Sequence, residues 1–346
     1  MIMNIYPVDV LLFRDARPFS MEQGTARSTA PMPSTIAGAI RSKILIHNRM
    51  NSKSREFVSY GNPDEAEKMG MKGVFLCSGD EMMFPAPFDV VRTKKKDENE
   101  VFIVEPMEIH GHRYLGGKHL HFKPAESRFL SSTDFKNYLE GRFKGISRKI
   151  NPFCEEERIG IEIDRIKGTA RESRLYRVSF LRLNKEAFLS IWFDGKEIED
   201  YLPESGYLKL GGESRSAYYE LKDEKGELFG YRLPQEVLEK INEMRRFRVY
   251  LATPFVFKDN FEEELRGELE KQLDVELVVK GSFPEFITLS GWDYKKNWHK
   301  EGKSALKAGS IVYFEIESGE LADIEYPLNL GPMRTLGFGC IFIGAW

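Results

Sequence analysis

Three cysteines, Cys77, Cys154 and Cys340, are scattered through 346 residues, and no two of them form a C-x-x-C pair. That excludes a disulfide framework and a zinc knuckle, and the three read as buried small apolar residues. Long apolar runs are missing as well. None approaches the length of a bilayer-spanning helix, and Met1–Phe13 lacks the basic start and small-residue cleavage site of a signal peptide. A cytoplasmic protein without membrane contact is therefore expected. Excess positive charge is absent too, since 51 Lys and Arg stand against 54 Asp and Glu for a net charge of −3. Non-specific polyanion binding over the whole surface needs a general positive field, so any nucleic-acid site must be a local patch.

Against these absences stands one dense stretch, Arg14 to Arg41, reading R-D-A-R-P-F-S-M-E-Q-G-T-A-R-S-T-A-P-M-P-S-T-I-A-G-A-I-R. It follows an apolar run, Ile2–Phe13, that alternates as a strand does. It leads into a helical pattern from Ser34, where Ile36, Ile40 and Ile44 make one apolar stripe. Ser34 reads as the N-cap. The loop between them, about twenty residues, is long for a compact domain. Arg14, Arg17, Arg27 and Arg41 bracket it, and a helix N-terminus facing such a loop favours phosphate through its N–H groups and dipole. A plain surface crossover with solvated arginines is the alternative.

Residues 48–70 are polar and read as a loop. Strand signals return at Val74–Cys77 and Met82–Phe84, and Lys94, Lys95 and Lys96, followed at once by acids, read as a solvated hairpin tip. Four of the six histidines come next, His110, His112, His119 and His121, as two H-x-H pairs around Leu115-Gly116-Gly117. On strands each pair would share a face, a geometry open to metal or acid/base chemistry. No carboxylate stands at ligand spacing, however, and Arg113, Lys118 and Lys123 would repel a cation. A polar insertion or RNA-facing loop is the preferred reading. Thr133–Lys149 reads as a short helix and linker.

Arg158–Leu183 reads as two strands, the first alternating Ile159, Ile161 and Ile163, joined by a glycine-containing tip. Arg165, Lys167, Arg171, Arg174 and Arg177 gather there against Asp164 and Glu172. With Tyr176 nearby, the hairpin suits a nucleic-acid backbone and a stacked base, or else a charged edge that resists aggregation. Farther on, Gly211 and Gly212 follow an apolar strand and precede Ser214, Arg215 and Ser216, which lets backbone amides approach a phosphate. The spacing is not that of a dinucleotide fingerprint or a P-loop lysine. Leu233–Met244 reads as a helix.

The second half begins with a strand at Phe247–Phe257 and a charged helix at Asn260–Leu273. Strands follow at Val275–Val279, Phe286–Leu289 and Ile311–Ile316. Trp292, Tyr294 and Trp298 with Lys295 and Lys296 either stack bases or cap a core or interface. Gly331, Gly337 and Gly339 surround Arg334 and Phe338 before a last apolar strand. Each half thus repeats strand, helix, two strands, a poorly defined second helix, and a strand with a glycine-rich loop. The expected fold class is α+β, with two ferredoxin-like (RRM-like) domains, glycine-rich loops and inserted β-hairpins. Residues 1–232 would form the first domain, with insertions at about 48–72 and 110–155 and the basic hairpin 158–183, and residues 245–346 the second.

Four segments in one order carry a family resemblance: R-D-A-R-P-F, then A-P-M-P-S-T-I-A-G-A-I-R, then I-E-I-D-R-I-K-G-T-A with L-Y-R after it, and the terminal R-T-L-G-F-G. Together they resemble the third-subunit branch of the type III-B (Cmr) CRISPR effectors, within the RAMP superfamily. The likeness runs from residue 4 to the C-terminus and is least over 48–72 and 110–155. It implies a non-catalytic RNA-binding subunit of antiviral defence, without metal or cofactor, that holds the 5′ handle of the crRNA. The partners it implies are the large polymerase-like subunit and the first backbone RAMP subunit of the same complex, with target RNA cut by another subunit.

The RNA-facing candidates it points to are Arg14, Arg17, Arg27, Ser28, Ser34, Thr35 and Arg41 in the first segment, and Arg165, Lys167, Arg171 and Arg174 at the hairpin. Gly211, Gly212 and Arg215, and then Arg334, Gly337, Phe338 and Gly339, complete the set. Phosphate neutralisation and amide contacts would be their work, with base stacking by Phe338 or Tyr176. The alternative within the superfamily is a metal-independent endoribonuclease that processes crRNA with a histidine acid/base, His112 or His121.

Overall fold

The alternating run at the N-terminus becomes a central strand, and the rest of the first half is built around it. The computed structural model describes the chain except residues 14–24, 27–29, 61–66, 96–97, 110–111, 117–122, 126, 165, 225–227 and 294–297. The side chains of 25–26, 67, 94–95, 98–100, 107–109, 112–116, 170–174, 292–293 and 299 also fall outside the description. The chain opens with β1 (Ile2–Pro7), the short β2 (Thr25–Ala26), α1 (Pro33–His47) and α2 (Ser52–Phe57). Antiparallel hairpins follow: β3 (Met71–Ser78) with β4 (Glu81–Pro85), β5 (Val90–Lys95) with β6 (Glu98–Ile103), and β7 (Glu105–Ile109) with β8 (His112–Gly116). Then come β9 (Lys123–Pro124), β10 (Phe129–Ser131) and α3 (Ser132–Leu139), and a long hairpin of β11 (Phe153–Asp164) and β12 (Thr169–Leu183). The first half closes with β13 (Ala187–Phe193), β14 (Ser205–Lys209) and β15 (Ser216–Lys222).

The second half runs α4 (Gln235–Met244), β16 (Arg246–Leu251), β17 (Phe255–Phe257), α5 (Phe261–Leu273) and β18 (Glu276–Phe283). It continues through β19 (Phe286–Leu289), β20 (Trp292–Asp293), β21 (Trp298–His299), β22 (Lys303–Leu306), β23 (Ile311–Ser318), β24 (Leu328–Asn329) and β25 (Cys340–Ala345). The result is a mixed α/β fold whose sheets are mostly antiparallel. A seven-stranded sheet has the order β10-β4-β3-β13-β1-β15-β14, and a five-stranded sheet the order β18-β23-β16-β25-β24.

Period-two alternation decides what each face of the first sheet meets. Met3, Ile5, Leu189, Ile191, Ala217 and Tyr219 turn toward α1, whose Ile36, Ile40 and Ile44 are fully buried as the stripe predicts. Ile2, Phe75 and Trp192 turn the other way, into a core shared with the second sheet. There Phe84 stacks on Phe135 at 4.0 Å and meets Phe342 edge-on at 5.8 Å, which ties one half to the other. Each such ring contributes about 1.5–3 kcal/mol by leaving water. A polar group sits inside the same junction. The buried Asp89 carboxylate accepts hydrogen bonds from the Tyr138 and Tyr313 hydroxyls at 2.7 and 2.6 Å, with the buried Arg248 guanidinium 4.0 Å away.

Several expectations are corrected. The N-cap of α1 is Met32, not Ser34, because Pro33 occupies the first helical position, where its missing N–H costs nothing. Residues 48–70 are not all loop: Asn51 caps α2 by accepting from the Ser54 N–H at 2.8 Å. Cys77 and Cys340 are buried but Cys154 is exposed, since it lies on the projecting hairpin. The short helix expected within Thr133–Lys149 is α3, and the helix expected at Leu233–Met244 is α4. No described helix is long and apolar enough to cross a membrane.

Candidate nucleic-acid interface

The hairpin and the 211–215 turn singled out by sequence meet at the base of β11 and β12. Asp9, just past β1, faces three arginines: Arg182 at 3.1 Å, Arg158 at 3.4 Å and Arg215 at 3.8 Å. Glu156 holds Arg158 at 2.6 Å and also binds Arg182, and Glu213 holds Arg215 at 2.8 Å. Phe180 lies between two guanidinium groups, 5.2 Å from Arg158 and 4.8 Å from Arg215, in cation–π range. Hydrogen bonds from Arg182 and Arg158 pull the Glu156 carboxyl down to about 2. Burial alone would raise Asp9, but the hydrogen bonds and charges of Arg158 and Arg182 outweigh it and hold that carboxyl below its ordinary value. Three cations thus face three carboxylates. These side chains remain 38%, 42% and 25% exposed for Arg158, Arg182 and Arg215, so part of each reaches the surface.

Sequence reasoning included only Arg215 of this set. The period-two pair Glu156 and Arg158 on one strand was the available signal. Asp9 and Arg182 lie far away in the chain, and only the folded sheet brings them in.

The long loop is attached to the same hairpin. Thr25 and Ala26 pair in parallel with Arg177 and Val178, so part of the 14–29 loop lies along the outer edge of β12. Beneath it Val10, Leu12, Val178 and Phe180 form a small apolar cluster with Tyr176 against it. Arg14, Arg17, Arg27, Ser28 and Arg165 lie outside the described residues, as do the side chains of Arg171 and Arg174. Lys167 is exposed at the tip, where Asp164 Oδ1 accepts from the Ile166 and Lys167 amides at 2.9 and 3.2 Å. Tyr176 packs across the hairpin over Gly160, where a Cβ would lie 2.3 Å from its ring. Ser34 and Thr35 are half-buried in the first turn of α1. Arg41 is about 10 Å farther along the helix at 1.5 Å per residue, where its guanidinium donates to the Ser59 carbonyl at 3.5 Å.

The glycine turns correct the expectation of free amides. Gly212 N–H donates to the Leu12 carbonyl at 2.8 Å, Gly337 N–H to Arg334 O at 3.1 Å and Gly339 N–H to Pro254 O at 2.8 Å. These donors hold the turns together and are not presented to a phosphate. Phe338 is fully buried in the core beneath α1, so its ring offers no face to a base. Nor does the 331–339 loop join the hairpin site. Arg334 instead lines a cleft of about 750 Å³ between the halves, where Lys72, Lys271 and Arg334 are matched by Asp194, Glu268 and Glu325. Of the histidines of the expected 110–155 insertion, His112 lies on β8, and His110, His119 and His121 are outside the described residues.

This architecture recurs in solved structures of Type III-B Cmr-beta. A chain in the cryo-EM structure of the Type III-B Cmr-beta bound to cognate target RNA and AMPPnP, state 1, is similar over 90% of this chain and 86% of its own. Its TM-score is 0.56 and its sequence identity 21%. The cryo-EM structure of the Type III-B Cmr-beta bound to cognate target RNA gives a TM-score of 0.55 at the same identity and coverage. These likenesses define the fold. Residues 3–346 match the family model described as CRISPR-associated protein (Cas_Cmr3), and the chain belongs to that family. The CRISPR system CMR subunit Cmr3 of Saccharolobus solfataricus is 27% identical over 158 residues, which cover 45% of this chain and 43%, less than half, of that relative.

Proposed function

We propose that this chain is the subunit of a type III-B Cmr effector that holds the 5′ handle of the crRNA, without catalysing a reaction itself. It docks the large polymerase-like subunit and the first backbone RAMP subunit in antiviral defence. The observation that carries this reading is the pairing of Thr25–Ala26 with Arg177–Val178, which joins the arginine-bearing loop to the basic hairpin on one flank. Family membership over 3–346 supports it, and so does the cognate target RNA in the structures that share the fold. The two large sheets share the order fourth, first, third, second strand, β15-β1-β13-β3 and β25-β16-β23-β18. That order supports reading residues 1–232 and 245–346 as two ferredoxin-like units.

On this reading Arg14, Arg17, Arg27, Lys167, Arg171 and Arg174 neutralise phosphates, while Arg158, Arg182 and Arg215 brace the hairpin and contact the backbone with their remaining donors. Base pairing reads the guide, so a held handle sets the register of the assembly. The test is binding of repeat-derived RNA to the full chain with its large partner at several salt concentrations. Arg14→Ala and Arg27→Ala are each expected to weaken binding and to lower the salt slope by about 1. Unchanged affinity and slope in both variants, or cleavage of the RNA in the presence of EDTA, would overturn the reading.

A further inference from the structure

Four aromatic rings lie side by side across four neighbouring strands of the first sheet. Phe188 on β13 is 5.1 Å from Tyr6 on β1, Tyr6 is 6.3 Å from Tyr218 on β15, and Tyr218 is 5.4 Å from Tyr207 on β14. The chain neighbours of these residues, Ile5, Leu189, Ala217, Tyr219 and Leu208, are buried beneath α1. The ring row therefore occupies the opposite face. One end of that face is covered, because Ile2, Phe75 and Trp192 pack into the core shared with the second sheet. Phe188 packs against the rim of that core, Tyr6 and Tyr218 are half-buried, and the edge member of the row, Tyr207, is 64% exposed.

Cross-strand aromatic pairs strengthen a sheet by about 0.2–1 kcal/mol each and need no ligand for that. Such pairing does not account for the row running out onto the edge strand, where a ring in water gains little, on a face that antiparallel sheets usually keep polar. Cations and carboxylates alternate around the row. Lys209, next along the same face of β14, has its ammonium 3.1 Å from the Ser216 hydroxyl. Lys222 lies exposed on the same face of β15, with Glu224 at 3.8 Å. Glu220 lies between them on β15; burial raises the Tyr6 hydroxyl, and Glu220 adds to that while Lys222 opposes it. The turn that joins β14 to β15 contains Gly211, Gly212 and Arg215, so the row is continuous with the hairpin-base arginines.

We infer that this row is a stacking platform for single-stranded RNA. It would take about two or three unpaired nucleotides as they leave the hairpin flank, with base faces on Tyr207, Tyr218 and Tyr6 and phosphates toward Lys209. The inference rests on the RNA-holding reading above and adds to it a contact made by ring faces rather than by charge.

Stacking and charge separate in a salt titration, since removing a ring lowers affinity without releasing fewer counterions. The measurement is binding of fluorescein-labelled single-stranded repeat RNA to the full chain, beside the same strand annealed to its complement. Tyr207→Ser combined with Tyr218→Ser is expected to weaken single-strand binding about tenfold or more, at unchanged salt slope and unchanged duplex binding. Tyr207→Phe with Tyr218→Phe should retain wild-type affinity, because the ring face is kept. Irradiation of the wild-type chain with 4-thiouridine RNA should crosslink peptides of β14 and β15.

Wild-type affinity in the serine variant, while Arg14→Ala and Arg27→Ala still weaken binding, would overturn the platform and leave the RNA-holding reading standing. Loss of the large partner subunit with RNA affinity intact would overturn it in favour of a protein interface, and crosslinks confined to other strands would overturn it as well. If the arginine variants also bind as wild type, the RNA-holding reading falls and the platform with it.

Discussion

Gly211 has φ +75° and ψ −166°, a region of backbone space essentially closed to other residues. A Cβ there would stand 2.6 Å from the Leu12 carbonyl oxygen, the same oxygen that accepts the Gly212 N–H. The turn thus grips the chain just before the 14–24 segment begins. Gly211→Ala is expected to cost about 1–3 kcal/mol, read as an earlier urea unfolding midpoint, whereas Gly38→Ala, with open space around its Cβ, should cost nothing. The double glycine was legible as a tight turn, but its purpose was not. Glycine spacing states that backbone comes close to something, and only the fold states that the something is Leu12 and not a phosphate. Phe338 carries the same lesson, since its glycine neighbours mark a loop while its ring belongs to the core.

A two-stranded ribbon is marginal by itself, and β11–β12 projects with Ile159, Ile161, Ile163 and Leu175 exposed on one face and Ile166 at the tip 96% exposed. Its position is set at the base, by Asp9 and Glu156 against Arg158 and Arg182. The Glu156 carboxyl is held at about 2 instead of the usual 4.5 by hydrogen bonds from Arg182 and then Arg158. A depressed folded pKa contributes stability that is fully present above the unfolded value and lost as pH falls through the folded one. Wild type should therefore exceed Glu156→Gln in stability above 4.5, and the two should converge as pH falls toward about 2. Parallel acid-unfolding curves would contradict this account of the anchor. The alternating isoleucines identified the strand correctly, yet alternation states only that two faces differ, and here the apolar one faces out. The anchor itself was illegible because its members come from β11, β12 and the segment after β1, and charge pairing across such separations has no local pattern.

At the scale of the whole molecule the two sheets share one core, so neither half is independent of the other's side chains. The strands β1, β3 and β4 and the helix α1 were legible one by one, but the seven-strand order and the shared core were not, because sequence reads elements singly and not which of their edges and faces meet. The polar centre of that junction is Asp89, pushed toward its neutral form by complete burial, against the pull of Arg248 and the Tyr313 and Tyr138 hydroxyls. Asp89 and Tyr138 come from the first half, Arg248 and Tyr313 from the second. Arg248 also covers the Tyr138 ring at 3.8 Å and donates to the Tyr138 carbonyl. Removing one member of a buried pair leaves the other uncompensated, so Arg248→Met is expected to cost about 3–5 kcal/mol. Removing both, in Asp89→Asn with Arg248→Met, should cost less than the single change, because no lone charge remains buried. A double-mutant cycle by urea unfolding reads the difference directly. Strictly additive losses would mean that the two groups do not act on each other. A positive coupling would make this pair the device that keeps the first sheet at a fixed distance from the second.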